Sequence, residues 1–131
     1  MLFRSMGVEA ELHDRFLASD AFWVWKEQSQ GSWGVFDHAE PDTWTERPQV
    51  VAWISRVHAA RIAGTVTANE YDYTTGALRL ETHDANAPHS IYVPERGGTF
   101  TCNDMAYAAT RDSATGLVEV SCDGKLVVTP N

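Results

Sequence analysis

The chain has 131 residues, enough for one ordinary domain or for a small β-domain joined to the end of a larger one. Hydrophobic residues make up 44% of it and charged residues 21%, a composition that supports a packed core and argues against a disordered chain. The net charge of −8, with only ten lysines and arginines, would repel a phosphate backbone, so nucleic acid is not expected as a partner. No window of about eighteen apolar residues is present, so no transmembrane segment is expected.

The first predicted element is an amphipathic helix over residues 8–17. Val8, Leu12 and Phe16 recur at four-residue spacing and therefore share one face of that helix. The helix is predicted to end near Ala18.

A strand, a loop and a second helix are predicted next. Residues 21–25, Ala-Phe-Trp-Val-Trp, are aromatic and β-branched and predict a buried strand, which polar residues 26–31 follow as a loop. Thr45 as a possible cap and Pro48 in the first turn indicate a second helix. Its apolar side is expected to carry Val50, Val51, Ile54 and Val57.

The pattern changes near Gly64, where short alternating runs begin. Residues 66–73 and 77–82 predict two strands, which the turn at 74–76 joins as a hairpin with a glycine where a positive φ is needed. Further strands are predicted at residues 90–93, 100–102, 106–110, 117–121 and 126–129.

The number and spacing of these runs indicate the fold class. Asp123-Gly124 is a two-residue hairpin signal between the last two strands. Five or more short strands at near-regular spacing predict a mainly β chain with a small antiparallel sandwich. The preceding helix, strand, loop and helix cannot close a core alone, because the strand is apolar on both faces and has no visible partner.

Cysteine and histidine positions do not form a metal-site pattern. Cys102 and Cys122 are too few for a disulfide framework and wrongly spaced for zinc, and the sequence leaves open whether they pair. The five histidines are scattered, which favours solvated or structural roles: His13, His38, His58, His83 and His89. No cofactor is expected.

Several stretches resemble family-5 glycoside hydrolases, especially the endoglycoceramidase-like members. Residues 22–27 and 30–34 resemble the eighth barrel strand and the loop after it. Residues 55–64 are similar to the link that leads to the C-terminal sandwich, with Val-His-Ala in place of Pro-Tyr-Pro. Residues 71–78 and 87–94 resemble two pieces of that sandwich, and the Ile-Tyr-Val-Pro run is the most specific of them.

The resemblance implies two domains. Residues 1–63 would be the last unit of a truncated TIM barrel, and 64–131 an immunoglobulin-like β-sandwich. Within the first part, residues 1–5 are interpreted as a sequencing scar, because Leu-Phe-Arg-Ser is the translation of a common adapter sequence.

The resemblance also implies a retaining hydrolase of β-glycosidic bonds. Its two catalytic glutamates would lie at the ends of the fourth and seventh barrel strands, upstream of Met1, so this chain alone is expected to be inactive. Glu27 is not favoured as a catalytic acid, because the mechanism needs two carboxylates. Asp37 or Glu40 would have to be the second one, and no motif supports either.

The site residues implied by the resemblance form one wall of the sugar site. Trp25 matches the tryptophan that stacks on the sugar in this family, and Trp23 is one pleat away. Lys26 and Gln28 follow at the mouth, where they would hydrogen-bond sugar hydroxyls. The alternative for the two tryptophans is plain core packing, since adjacent pleats of a strand face opposite ways.

The expected parent is a secreted, monomeric enzyme that binds a carbohydrate or glycolipid substrate through the missing barrel. The rival interpretation is a stand-alone, non-catalytic β-sandwich that serves in binding or adhesion. The rival predicts a chain that melts cooperatively and exposes no apolar patch, whereas the fragment interpretation predicts exposed apolar surface in the first sixty residues.

Overall fold

The computed structural model describes residues 2–17, 34–39 and 41–131. Helix α1 spans Leu2–Phe16 and helix α2 spans Pro48–Ile54. Between them a short antiparallel hairpin consists of β1 (Phe36–Ala39) and β2 (Thr43–Glu46).

The remaining eight strands follow α2 in close succession. They are β3 (His58–Arg61), β4 (Thr65–Asp72), β5 (Ala77–His83), β6 (His89–Tyr92), β7 (Gly98–Cys102), β8 (Met105–Tyr107), β9 (Leu117–Val120) and β10 (Gly124–Pro130).

These strands form two antiparallel sheets that share one hydrophobic core. One sheet has the order β4-β5-β10-β7-β8, and the other has the order β3-β6-β9. Alternate side chains from both sheets point inward, which is the pattern of a β-sandwich. The core residues are Val57, Leu78, Leu80, Ile91, Val93, Phe100, Val118, Val120, Cys122, Leu126 and Val128. The mainly β, antiparallel class predicted from the sequence is therefore confirmed.

The predicted hairpin turn at residues 74–76 is confirmed, and side-chain hydrogen bonds hold it. Asp72 Oδ1 accepts hydrogen bonds from the backbone N–H of Thr74 at 2.8 Å, and Asp72 Oδ2 accepts one from the Thr75 hydroxyl at 2.8 Å. Gly76 follows with φ of 73°, the left-handed conformation that glycine adopts at no steric cost. Hydrogen bonds from the Thr75 hydroxyl and the Thr74 N–H lower the pKa of the Asp72 carboxyl.

The same turn recurs before β9. Asp112 Oδ1 accepts hydrogen bonds from the N–H groups of Ala114 at 2.7 Å and Thr115 at 3.0 Å, and Gly116 follows with φ of 76°. Both turns have the spacing Asp-x-x-Thr-Gly. At Asp112 the backbone hydrogen bonds from Thr115 and Ala114 lower the pKa of the carboxyl.

The hairpin predicted at Asp123-Gly124 is wrong. These residues carry the chain from β9 in the three-stranded sheet to β10 in the five-stranded sheet. Gly124 has φ of 115°, and Asp123 Oδ1 accepts a hydrogen bond from Ala85 N–H at 3.2 Å. This crossing has a glycine with positive φ, as a tight two-residue hairpin would, so the dipeptide alone does not distinguish the two.

The start of the second helix also differs from the prediction. Arg47 is the N-cap and Pro48 the first helical residue, whereas Thr45 lies in β2 and makes no cap. On the predicted apolar side of this helix, Val50 is buried as expected, at 2% exposure, but Ile54 is 38% exposed. Three strands were not predicted: β1 and β2, which form a hairpin, and β3, which pairs with β6. The β-sandwich therefore begins before the predicted boundary at Gly64.

Replacing Gly64 with alanine is expected to cost about 2 kcal/mol of folding free energy. Gly64 has φ of 80°, and a Cβ there would stand 2.5 Å from the backbone oxygen of His83, an atom that cannot rotate away. Gly97 is the matched control, because its φ is 78° but its added Cβ would meet only the side-chain amide of Asn131 at 3.1 Å. Chemical denaturation should show a larger loss for Gly64→Ala than for Gly97→Ala, and equal losses would contradict the steric account.

Candidate functional site

The predicted sugar-site residues Trp23, Trp25, Lys26 and Gln28 lie outside the described residues, as does Glu27. Their assignments therefore stay predictions. The part of the chain that follows them is held by Arg47, which is 7% exposed.

Arg47, the N-cap of α2, contacts residues at the beginning of the β1–β2 hairpin. Its Nη1 donates to the carbonyl of Gly34 at 3.1 Å, and its Nε donates to Asp37 Oδ1 at 2.6 Å. The Arg47 backbone N–H also donates to the carbonyl of Val35 at 2.8 Å, and Val35 is 2% exposed. Asp37 therefore serves in an ion pair, which does not favour recruiting it as a catalytic carboxylate.

Helix α1 is attached to the sandwich by its polar side. Arg56 donates two hydrogen bonds to the Asp14 carboxylate, from Nη2 at 2.8 Å and from Nε at 3.2 Å. The Asn69 side-chain amide on β4 donates to the backbone carbonyl of Asp14 at 2.8 Å. The side chains of the ion pair are only 12% and 10% exposed, so this is a largely buried, bidentate contact. We call Asp14, Arg56 and Asn69 the α1 anchor.

The apolar row of α1 lies on the side away from the anchor. Val8 is 55% exposed, Leu12 is 45% exposed and Phe16 is 70% exposed. Asp14 follows Leu12 by two residues, which is about 200° around an α-helix. The side that is normally buried in an amphipathic helix is thus directed to solvent here.

Two tyrosines of β4 and its turn lie beside the α1 anchor. The rings of Tyr71 and Tyr73 meet edge to face with centroids 4.8 Å apart. Burial raises the pKa of Tyr73 to about 12, and the positive charge of Arg56 lowers it only in part. Burial also raises the pKa of Tyr71, opposed by Arg96.

Tyr73→Phe should make the protein less sensitive to alkaline pH. The folded-state pKa of Tyr73, about 12, exceeds the unfolded value of about 10. The stabilisation from keeping this phenol neutral is therefore complete below about pH 10 and is lost as the pH rises toward 12. Between about pH 9 and about pH 11, the Tm of Tyr73→Phe should fall less than the Tm of the wild type. An equal fall would contradict the partial burial of this phenol, whose residue is 36% exposed.

A disulfide joins the two sheets near the β9–β10 crossing. Cys102 on β7 and Cys122 after β9 form a disulfide with Cα atoms 5.8 Å apart, so the two cysteines do pair.

His89 on β6 is fully buried beside this disulfide. Its Nδ1 accepts a hydrogen bond from Ala63 N–H at 3.1 Å, and its Nε2 lies 2.7 Å from the carbonyl oxygen of Cys122. Because Nδ1 is an acceptor, Nε2 carries the proton and donates it.

The outer face of the three-stranded sheet carries the other aromatic pair of interest. His58 and Tyr92 are cross-strand neighbours with ring centroids 5.1 Å apart. In the next row, Arg61 pairs with Glu119 at 3.0 Å, and the Ser90 hydroxyl donates to the same carboxylate. Arg61 and Ser90 both contact the Glu119 carboxylate, so the charged groups of this face are paired beside the two rings.

Six of the described carboxylates are in ion pairs: Asp14, Asp37, Glu70, Glu81, Asp104 and Glu119. Among residues 2–17, 34–39 and 41–131, no three histidine, cysteine or acidic side chains are grouped so that they could hold a metal ion.

No helix in the described part of the chain is long and apolar enough to span a membrane.

Comparison with known proteins gives no relative from which a function could be transferred. No family model matches the chain, and neither a curated protein nor a solved structure is significantly similar to it.

Proposed function

We propose that this chain is the C-terminal part of a retaining glycoside hydrolase that cleaves β-glycosidic bonds of glycosylceramides or other β-glucosides. In this proposal the last unit of an endoglycoceramidase-like TIM barrel ends before Val57, and its immunoglobulin-like β-sandwich begins there, because Val57 and β3 already belong to the sandwich. The catalytic glutamates belong to earlier barrel strands, so the chain alone does not hydrolyse glycosides.

The single observation that carries the proposal is the outward apolar row of α1. Val8, Leu12 and Phe16 face solvent on a helix whose polar side is anchored to the sandwich. An exposed apolar row on an ordered helix indicates a surface that another part of a protein covers. The fragment interpretation predicts such a surface in the first sixty residues, and the stand-alone module predicts none.

Two further features support the proposal. The motifs that resemble the family occur in the family's order along the chain, and the pieces at residues 71–78 and 87–94 contribute to β4, β5 and β6. The disulfide between Cys102 and Cys122 fits a protein exported to an oxidising compartment, as the secreted parent would be.

The proposed role of Trp25 can be tested in the extended protein. Trp25→Ala should lower kcat/KM for an aryl β-glucoside by about tenfold, because a stacked indole stabilises the cationic transition state by about 1.4 kcal/mol. Trp44→Ala is the matched control, because Trp44 is on the β1–β2 hairpin, where its Nε1 donates to Asp42. An unchanged kcat/KM for Trp25→Ala would remove Trp25 from the sugar site.

The alternative is a stand-alone β-sandwich that binds carbohydrate without cleaving it. Its supporting observation is the outer face with the His58–Tyr92 pair beside the charged Arg61 and Glu119. This alternative predicts that Tyr92→Ala abolishes retention of the chain on immobilised β-glucan. Retention that Tyr92→Ala leaves unchanged, or no retention by the wild type, would contradict it.

A further inference from the structure

His89 is a buried titratable side chain that takes no part in the proposed function. Both of its ring nitrogens contact backbone groups: Nδ1 accepts from the N–H of Ala63, and Nε2 donates to the carbonyl of Cys122. The first contact reaches residues 62–64, which join β3 in the three-stranded sheet to β4 in the five-stranded sheet. We call residues 62–64 the β3–β4 link.

The two hydrogen bonds of His89 respond differently to a proton. A proton added to the neutral ring must bind Nδ1, because Nε2 already carries one. Nδ1 would then be a donor that faces the N–H of Ala63, so the hydrogen bond to the β3–β4 link would be lost. The hydrogen bond from Nε2 to Cys122 would remain. Protonation therefore acts on the link and not on the segment that carries the disulfide.

The surroundings of His89 offer this proton no hydrogen-bonded counter-ion among the described residues. The titratable or charged side chains of the neighbouring segments are His58 and Arg61 on β3, His83 and Asp84 before β6, Glu119 on β9, and Asp123 after it. Arg61 and Glu119 pair with each other beside Ser90, and Asp123 accepts a hydrogen bond from the N–H of Ala85. Across the core, the buried side chains of β5 and β10 are uncharged: Leu78, Leu80, Thr82, Leu126 and Val128.

The β3–β4 link lies next to the part of the sandwich that can open most easily. β3 is an edge strand of four residues, and its pairing with β6 is interrupted by a register shift between Ala59 and Arg61. β5 and β10 have hydrogen-bonded neighbours on both sides. Local opening occurs where a fold has the fewest stabilising contacts, so the link is expected to open while β5 and β10 stay closed.

We propose that His89 makes the attachment of the β3–β4 link sensitive to acid: the neutral ring holds the link on the sandwich, and protonation of Nδ1 releases it. A histidine in water takes up its proton near pH 6.5. The attachment is therefore complete above that pH and is lost progressively as the pH falls, because the released state binds one proton more. The inference does not depend on the proposed function, because it applies equally to a fragment and to a stand-alone module.

The first test measures amide hydrogen exchange in the wild-type chain between about pH 7.5 and about pH 5.5, which is above the range in which exposed carboxylates titrate. The protection factor of Ala63, corrected for the intrinsic pH dependence of exchange, should fall about tenfold, because opening is coupled to the uptake of one proton. The amides of β5 and β10 should keep their protection. An unchanged protection factor at Ala63, or an equal loss in β5 and β10, would overturn the proposal.

The second test assigns the effect to His89. His89→Asn keeps an acceptor near the position of Nδ1 and does not titrate, so its Ala63 protection factor should change less than about twofold over the same pH range. His58→Asn is the matched control and should keep the tenfold fall. Nδ1 of His58 donates to the carbonyl of Arg56 at 3.0 Å, a contact that protonation of the ring preserves. A tenfold fall that persists in His89→Asn, or that disappears in His58→Asn, would assign the acid response to another group.

A third measurement needs no variant, so it decides the matter even if His89→Asn does not fold. The hydrogen bond from Ala63 to His89 joins two nitrogen atoms, so NMR of the nitrogen-15-labelled wild type should show a coupling between Ala63 N and His89 Nδ1 at about pH 7.5. This coupling, together with the acid-sensitive exchange at Ala63, is the expected result. Its absence would show that the ring does not hold the link and would overturn the proposal.

Discussion

A variant in which Cys102 and Cys122 are both alanine is expected to unfold about 10 °C below the wild-type chain. The disulfide joins residues 20 positions apart. In the chain-entropy description, its loss increases the conformational entropy of the unfolded chain, which lowers the free energy of unfolding by about 3 kcal/mol. It also removes the covalent link between β7 in one sheet and the end of β9 in the other. Differential scanning calorimetry of the oxidised wild type and the double variant measures the effect.

Reduction provides the control for this prediction. Wild-type protein treated with dithiothreitol should melt close to the double variant, because both lack the same cross-link. The double variant itself should not respond to the reductant. A melt of the wild type that is insensitive to reductant, together with two titratable thiols in the oxidised protein, would contradict the disulfide.

His89→Leu is expected to cost about 3 kcal/mol of folding free energy. The imidazole satisfies the N–H of Ala63 and the carbonyl of Cys122, and it is fully buried. Leucine fills similar space but leaves both backbone groups unpaired, at about 1–3 kcal/mol each. Urea denaturation at neutral pH measures the loss.

His58→Leu is the matched control for this substitution. His58 is half-buried and makes one hydrogen-bond contact through Nδ1, to the carbonyl of Arg56, so its replacement should cost less than about 1 kcal/mol. Nitrogen chemical shifts offer an independent check, because His89 should be the Nε2–H tautomer. Similar losses for both variants would contradict the buried bridging role of His89.

The strands could be predicted because each carries its own alternating pattern. In β5 the buried residues Leu78, Leu80 and Thr82 alternate with more exposed neighbours, and the hydrophobic period is visible without knowledge of the partner strand. The turn ending at Gly76 was predictable for the same reason, since its polar residues and its glycine are all local.

Strand pairing could not be predicted from such local patterns. Asp123-Gly124 has the composition of a hairpin, yet β9 pairs with β6 and β10 pairs with β5 and β7. Those partners are distant in sequence, and the core they build decides the topology. The strand β3 was missed because His58–Arg61, with two alanines, one histidine and one arginine, has little β-propensity of its own.

The α1 anchor was equally hidden from the sequence. The apolar row of Val8, Leu12 and Phe16 predicted a helix, which begins earlier than expected, at Leu2. The row did not predict which side of the helix meets the sandwich. That choice depends on Asp14 meeting Arg56 and Asn69, which no local spacing reveals.

The sugar site rests on resemblance, because the residues that would form it lie outside the described part of the chain. The structure describes the segments on either side of these residues in the sequence: α1, which the α1 anchor holds, and the hairpin, which Arg47 contacts. The stacking role of Trp25 therefore remains a prediction that activity in the extended protein must test.

The most direct measurement is the DNA sequence immediately upstream of the Met6 codon, recovered from the source sample with long reads. If the proposed function is right, an open frame continues back through further barrel strands, with a glutamate at the end of the strand preceding Val8. A stop codon and a ribosome-binding site just before Met6 would contradict it and leave a small stand-alone β-sandwich protein.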